Sequence, residues 1–397
     1  MNTDKDSTDI LTPPGYRDKV QHDLAIKNCT EAIRLNPKIA WVYRERGDVY
    51  RKKGQYDLAI TDYNEAIKLD PEYAVTYMYR GFSYCEQKQY DLAIRDYTQA
   101  IRLDPEYAVT YMCRGHAYHE QEQYDLAIRD YTQAIRPDRK VSWVVYRERG
   151  NAYREKGQHD LAIKDYNEAI RLDSTNATVY GDRGKAYCKK GQYDLAIEDF
   201  TEAIRRNSKI AWVYGDRGEA YCKKGQYDLA IRDSTESIRL DPTYVAAYYN
   251  RGLAYNKQDQ YDLAIKDYTE AVRFDPKDVW AYVCRGENYM MKGQYDKAIE
   301  DYTAAIGLNP SEPASIYEYR GHSYMLKGQH DKAIEDYTAA IGLDPSEPAS
   351  IYEYRGYSYM MKGQHDKAIE DLEKTINLDP DNTLAKNKLA ELRKVAD

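Results

Sequence analysis

The sequence predicts an all-α protein, a solenoid of antiparallel helix pairs. Three observations carry that expectation. One stretch, Tyr77 to Pro105, returns in almost the same words at Tyr111, Tyr146, Tyr180, Tyr214, Tyr248, Tyr282, Tyr317 and Tyr352, with an earlier copy at Tyr43. Its apolar residues follow the helical period, and no strand alternation occurs anywhere. The 397 residues would ordinarily suggest two or three domains, but a fixed internal period means that the array grows by stacking units rather than by enlarging one core.

Taken in order, residues 1–15 (MNTDKDSTDILTPPG) lack the basic and apolar regions of a signal peptide and are expected to be a disordered tail. Residues 16–39 hold a degenerate half unit, His22 to Pro37, with a second helix but no clear first. Ten full units are expected over 40–380. Their ruler is the glycine that follows an arginine: Gly47, Gly81, Gly115, Gly150, Gly184, Gly218, Gly252, Gly286, Gly321 and Gly356. The spacing is 34 residues except for three steps of 35, ending at Gly150, Gly321 and Gly356. Residues 381–397, with Leu384, Leu389 and Leu392 among Lys and Glu, are expected to form a polar-faced capping helix, which the end of a solenoid requires.

Within a unit, Tyr77, Gly81 and Tyr84 share one face of a first helix. A Lys-Gly-Gln-Tyr sequence, as at Lys53 to Tyr56, breaks it, with glycine free to take the left-handed conformation. Leu92, Ala93, Tyr97, Ala100 and Ile101 mark the second helix. Asp104-Pro105 then closes the unit, the aspartate placed to cap the next helix and the proline to enter its first turn. Small alanines let helices approach, and tyrosine fills the gaps: the chain has 43 Tyr and only 3 Phe.

Tyr43, Gly47, Tyr50, Ala59, Tyr63, Ala66 and Pro71 match in register the pattern of the tetratricopeptide repeat, and the other units follow. The chain resembles that family over residues 16–397. The resemblance implies a right-handed superhelix whose first helices line a concave groove that binds partner proteins. This sequence departs from the family's pattern in a repeated way. Arginine stands before the glycine from Arg46 to Arg355, where leucine is usual, and aspartate precedes the second-helix tyrosine from Asp62 to Asp371. The leading half unit, which has no such arginine, has Asn28 there. The pairing predicts an Arg–Asp clamp joining first and second helices, within a unit or between neighbours, since guanidinium and carboxylate pair bidentately; the alternative is that both face solvent.

Several joints are irregular. Pro137 comes early, after Ile135 and Arg136, and is expected to shorten the second helix before it. The units ending near Ser174 and Ser208 lack the closing proline. Ser234 and Ser237 stand where tyrosine and alanine are usual, and an unfilled aromatic space costs a few kcal/mol. The array is therefore expected to be loosest between about residues 136 and 240.

Charge and composition exclude several functions. Lys+Arg number 58 against 66 Asp+Glu, net −8, which argues against sequence-independent nucleic-acid binding and against anionic membrane surfaces. No apolar run approaches the roughly 18 residues that cross a bilayer. The 6 cysteines form no disulfide framework, and a reducing cytoplasm is expected. No phosphate loop or nucleophile motif occurs, so no enzyme activity and no cofactor are expected. His116 and His119 share a helical face, with Cys85 one unit earlier, but a fourth zinc ligand is missing and no metal is expected. His159, His330 and His365 replace a loop tyrosine.

Function is sought in the groove. The family's geometry implies groove-facing residues Trp41, Arg44, Asp48, Arg51 and Lys52 in the first unit, and Arg147, Asn151 and Arg154 in the fourth, a basic wall with an aromatic. Trp212 occupies the same kind of position. The last units differ: Trp280, Glu287, Met290 and Met291; Glu318, His322, Met325 and Leu326; Glu353, Tyr357, Met360 and Met361. Methionine suits adaptable protein-binding surfaces, and it also suits packing against the adjoining helix. The expected function is a non-enzymatic scaffold that binds a peptide or partner helix. The carboxylate clamp of the family's chaperone-tail subtype is absent, because Asp182, Trp212 and Asp216 follow Asn151, and Asn250 stands without an asparagine ladder. A docking subunit of an enzyme complex is the alternative; an RNA-binding helical repeat fits the net charge less well.

Overall fold

The computed structural model describes residues 16–135, 142–309, 314–344 and 348–396, and every regular element among them is an α-helix. The chain divides into two compact units, residues 1–191 and 192–397. The first contains α1 (Tyr16–Leu35), α2 (Ala40–Lys52), α3 (Tyr56–Leu69), α4 (Ala74–Glu86), α5 (Tyr90–Leu103), α6 (Ala108–Glu120), α7 (Tyr124–Ala134), α8 (Trp143–Glu155), α9 (His159–Leu172) and α10 (Ala177–Lys189). The second contains α11 (Tyr193–Arg206), α12 (Ala211–Lys223), α13 (Tyr227–Leu240), α14 (Val245–Asn256), α15 (Tyr261–Phe274), α16 (Val279–Met291), α17 (Tyr295–Leu308), α18 (Ala314–Leu326), α19 (His330–Leu343), α20 (Ala349–Met361), α21 (His365–Leu378) and α22 (Thr383–Ala396). Within each unit every helix packs on the next in the chain, and first helices also meet along the array, as α2 with α4, α4 with α6, α6 with α8, α12 with α14 and α16 with α18.

Close approach of a first helix to its second depends on glycine. A Cβ on Gly81 would lie 2.9 Å from the Tyr97 ring, and one on Gly150 2.8 Å from that of Tyr166. The buried rings Tyr63, Tyr97, Tyr131 and Tyr166, with alanines such as Ala93 and Ala100, form the core. The helix break needs a left-handed residue, and Gly54, Gly157, Gly191, Gly225, Gly293, Gly328 and Gly363 supply φ between +68° and +73°.

The arginine clamp is present and reaches further than one unit. Arg80 Nε and Nη2 donate to the two carboxylate oxygens of Asp96 at 2.7 and 2.6 Å. Its Nη1 donates to Asn64 Oδ1 on the preceding second helix at 2.6 Å. The same arrangement joins Arg46 to Asp62 and Thr30, Arg217 to Asp233 and Thr201, and Arg355 to Asp371 and Thr338. The guanidinium also lies beside the tyrosine one turn before it, as Arg80 does with Tyr77 at 5.7 Å, and in some repeats beside the one after it too, as Arg46 does with Tyr43 and Tyr50 at 5.9 and 6.0 Å. One side chain thus ties three helices.

The joint between repeats differs from the expectation. The aspartate does not cap the next helix: Asp104 Oδ1 accepts from Glu106 N–H two residues on, at 3.1 Å, and closes an Asx turn. Pro105 lies in that turn, before α6 begins at Ala108. Asn207 builds the same turn with Lys209 N–H at 3.0 Å, and Asp173 with Thr175 N–H at 2.9 Å. Both second helices run the usual 14 residues without the proline. By contrast α7, which precedes Pro137, has 11 residues. Pro137 itself, with the rest of 136–141, lies outside the described residues.

The sixth repeat packs differently from the others. With Ser234 and Ser237 in place of tyrosine and alanine, α14 closes directly onto α12 instead of leaving a void. Asn250 Nδ2 donates to the Gly215 carbonyl at 3.2 Å, and Ser237 Oγ to the Ala211 carbonyl at 2.8 Å. Tyr244 turns inward against Gly215 and donates to Asp216 Oδ1 at 3.1 Å, whereas its counterparts Tyr73 and Tyr107 stay exposed. At the end of the second unit, Ala385, Leu389 and Leu392 of α22 bury themselves against Ala368 and Leu372 of α21. Leu384 is exposed.

Candidate functional site

A first helix spends one face on its neighbours: in α4, Thr76, Met78, Gly81 and Ser83 are buried. The opposite face is left to the residues that change between repeats. In the first unit Trp41 is 56% exposed. Arg44 pairs with Asp70 at 3.1 Å and lies 3.9 Å over the Tyr73 ring. Asp48 holds both Arg51 at 2.5 Å and Lys52 at 2.6 Å. Arg147 pairs with Asp182 at 2.7 Å and Arg154 approaches the same carboxylate at 3.5 Å, while Asn151 Oδ1 accepts from the Tyr166 hydroxyl at 2.8 Å. The arginines expected to form a basic wall are each matched by a carboxylate of the protein itself.

Between these two basic patches the first unit contains a cavity of about 320 Å³. Phe82, Cys85 and Glu86 of α4, Met112, Cys113 and His116 of α6, and Val144 and Glu148 of α8 line it, over Tyr90, Tyr97 and Tyr131 from the second helices. Its thiols are poor nucleophiles: burial pushes Cys85 up, and Cys113 up to about 12. His119 is not part of it; the ring packs on Tyr124 at 5.3 Å. Among the described residues no three His, Cys, Asp or Glu side chains converge as a metal site.

The second unit has its own cavity of about 370 Å³, lined by Asn256, Lys257, Asp259, Tyr261, Glu287, Met290, Met291 and Tyr319. Burial raises the Glu287 carboxyl above its ordinary range, with Lys257 opposing. The methionines divide by position. Met290, Met325 and Met360 pack against the cores around Tyr302, Tyr337 and Leu372. Their neighbours Met291, Leu326 and Met361 are 58%, 46% and 53% exposed. Trp280 is also exposed, and Trp212 is half-buried on α12. Glu318 Oε1 accepts from Ser350 Oγ at 3.4 Å, and the His322 ring, its pKa lowered by burial, packs on Tyr354 at 5.0 Å. Glu353 accepts from Asn382 at 2.8 Å, and Tyr357 lies 4.4 Å beneath Lys388. Of the late residues, the cavity brings together Glu287, Met290 and Met291; Trp280 lies at the start of the same helix, and the others on α18 and α20.

Both cavities use a position that the sequence reading passed over, the residue just before the repeated arginine: Cys113 and Glu148 in one, Tyr319 in the other. The signal was available. That position runs Glu45, Tyr79, Cys113, Glu148, Asp182, Asp216, Asn250, Cys284, Tyr319, Tyr354, while the arginine beside it never changes.

Family models match along most of the chain. Models described as TPR repeat match residues 47–85, 81–122, 150–188 and 218–259. Models described as tetratricopeptide repeat match 177–209, 245–278, 279–312, 314–347 and 349–382, and another of that description matches 108–140. No curated protein matches the sequence significantly. Among solved structures, YrrB, described as a TPR protein with an unusual peptide-binding site, is 24% identical with a TM-score of 0.45, over 48% of this chain and 98% of that one. The APC/C hetero-tetramer Cut9-Hcn1 gives 15% identity and a TM-score of 0.49, over 95% and 94%. A tetratricopeptide repeat protein from Parabacteroides merdae gives 21% and 0.45, over 63% and 98%.

Proposed function

The chain belongs to the tetratricopeptide repeat family, and on that premise we propose that it is a non-enzymatic scaffold that holds an extended peptide or partner helix along its first helices. The observation that carries this reading is the division of labour within each repeat. Tyrosine, alanine, glycine and the Arg–Asp clamp recur and are spent on packing. The residues that change gather around two cavities and the exposed side chains Trp41, Trp280, Met291 and Met361. Exposed apolar side chains that stand together mark interaction surfaces, as Met291 does beside the cavity of the second unit. Recognition then rests on apolar and aromatic contacts, because the groove arginines are already paired internally.

Among the described residues no helix is long and apolar enough to cross a membrane. The test is selection of peptides from a displayed library on the intact chain, followed by titration of the best binder. Met291→Glu with Met361→Glu should weaken it about tenfold or more if it lies along the second unit, since each places a charge where an apolar contact stood. Val144→Trp should do so if it lies along the first. A selected peptide that binds all variants equally would place recognition elsewhere on the molecule.

A further inference from the structure

We propose that the cavity between α4, α6 and α8 is a site for an organic cation with an apolar body, an ammonium group on an aryl or alkyl chain. Three features point there. The walls are aromatic and sulfur-bearing, from Phe82, Tyr97, Met112 and Cys113, and a space of about 320 Å³ suits a small organic group. Among the described residues that line the cavity, the acidic side chains are Glu86 and Glu148, with no lysine or arginine beside them. The third is the Tyr131 hydroxyl, which is fully buried and has no hydrogen-bond partner.

Tyr63 and Tyr302 at the same repeat position share this state, but Tyr131 has a cavity beside it, and an unpaired buried hydroxyl costs about 1–3 kcal/mol that a ligand atom there would recover. An ammonium N–H can donate to that phenolic oxygen. The carboxylates keep acceptor capacity for the rest: Glu148 takes only long bonds, from Arg147 at 3.2 Å and Asn151 at 3.4 Å, and Glu86 one from the Tyr56 hydroxyl at 3.3 Å. Aromatic faces attract cations through the ring quadrupole. The Phe82 ring already takes a cation in this way, with the Arg51 guanidinium 5.1 Å from it. An anion entering here would meet two carboxylates, of which Glu148 has only the Arg147 guanidinium at 3.2 Å as a counter-charge.

The inference shares the groove of the proposed function, but the cation could come from a lysine side chain on a peptide or from a free amine. Calorimetric titration of the intact chain with phenethylammonium, with 2-phenylethanol as the neutral analogue, and with acetyl-Phe-Lys-amide separates these cases. Phenethylammonium should bind at least about tenfold more tightly than 2-phenylethanol. Glu148→Gln should reduce binding of the amine several-fold and leave that of the alcohol unchanged. Val144→Trp should abolish both; it should fold, because Trp41, Trp212 and Trp280 hold the same position in α2, α12 and α16. Tyr131→Phe should also fold, since Phe200 fills that position in α11, and should weaken the amine. Tighter binding of the lysine peptide assigns the site to a partner chain; tighter binding of the free amine assigns it to a small molecule. Equal binding of amine and alcohol overturns the proposal, as does unchanged binding to Val144→Trp. If neither amine probe binds while a selected peptide does, this inference fails and the scaffold reading stands; the reverse result separates them the other way.

Discussion

Arg217 grips Asp233 with two hydrogen bonds, Nε to Oδ2 at 2.6 Å and Nη2 to Oδ1 at 3.1 Å, and both side chains are buried. Arg217 Nη1 reaches a third helix through Thr201 at 2.9 Å. Removing either partner leaves the other charge buried and unpaired, which costs about 3–5 kcal/mol. Arg217→Ala and Asp233→Ala should each destabilise by that order, and the double substitution by clearly less than the sum. Denaturant unfolding of the four proteins measures it. Strict additivity would mean that the pair is not a coupled clamp.

The approach of Gly115 to Tyr131 makes a second, graded prediction. A Cβ at Gly115 would meet the Tyr131 ring at 2.9 Å, whereas at Gly356 the facing residue is Leu372, with its Cγ at 3.5 Å. Gly115→Ala must push a fully buried ring out of place and should cost about 1–3 kcal/mol. Gly356→Ala meets nothing nearer than the Asp371 Cβ at 3.2 Å and should cost less, part of it returned by the better helix propensity of alanine. Hydrogen exchange resolved by repeat gives each local stability. Equal losses at the two positions would show that the ring contact does not set the helix spacing.

These contacts also show how far the sequence could be read. The clamp, the glycine–tyrosine joint and the breaks were legible because each recurs at a fixed period, so one chemical argument covers many copies. What the period could not give was the response to an exception. Ser234 read as a missing aromatic and therefore as slack, but the backbone was free to close, and α14 moved onto α12 with Asn250 bonding the Gly215 carbonyl. Cys113 and Glu148 were missed for a related reason. Groove positions were assigned by the family's geometry, and whether the residue before the arginine reaches the groove depends on the bulk of its neighbours, which only packing decides. Met290 and Met291 were adjacent and alike in sequence; a 100° turn of the helix sends one to the core and leaves the other in water.

Three helix breaks hold a left-handed residue that is not glycine: Lys88, Glu122 and Asp259, at φ +60°, +60° and +57°. That conformation crowds a Cβ by about 1–2 kcal/mol, while glycine gives back roughly 0.5–1 kcal/mol through the greater freedom of the unfolded chain. Lys88→Gly and Glu122→Gly should therefore each stabilise the first unit, by about 0.5–1 kcal/mol. Asp259→Gly should gain less, because it loses the bond that Asp259 Oδ1 accepts from the Tyr261 hydroxyl at 2.6 Å. Thermal unfolding of the three variants orders them. A loss of stability on Lys88→Gly would show that its side chain contributes more than its backbone costs.

Ser234→Tyr separates two ways of thinking about a repeat. Judged by the period, tyrosine belongs there, and restoring it should stabilise the sixth unit. Judged by the structure, the space has already been taken. Ser234 is fully buried, Tyr244 fills the side next to Gly215, and α14 rests on α12 through Asn250 and Cys222, whose Sγ lies 3.5 Å from the Asn250 carbonyl. A tyrosine ring would have to lift α14, break the Asn250–Gly215 bond and turn Tyr244 out. Overpacking of that kind costs about 1–3 kcal/mol, and the lost hydrogen bond adds about 1 kcal/mol. The variant should unfold at lower denaturant than the parent, with the largest loss of hydrogen-exchange protection in α14. Adding Asn250→Glu, the residue that the first repeat carries at that position as Glu45, should recover part of the loss by releasing the helix that the ring displaces. A more stable Ser234→Tyr protein would mean that α14 gains nothing from its contact with α12, and that the repeat's own geometry, rather than local closure, governs this joint.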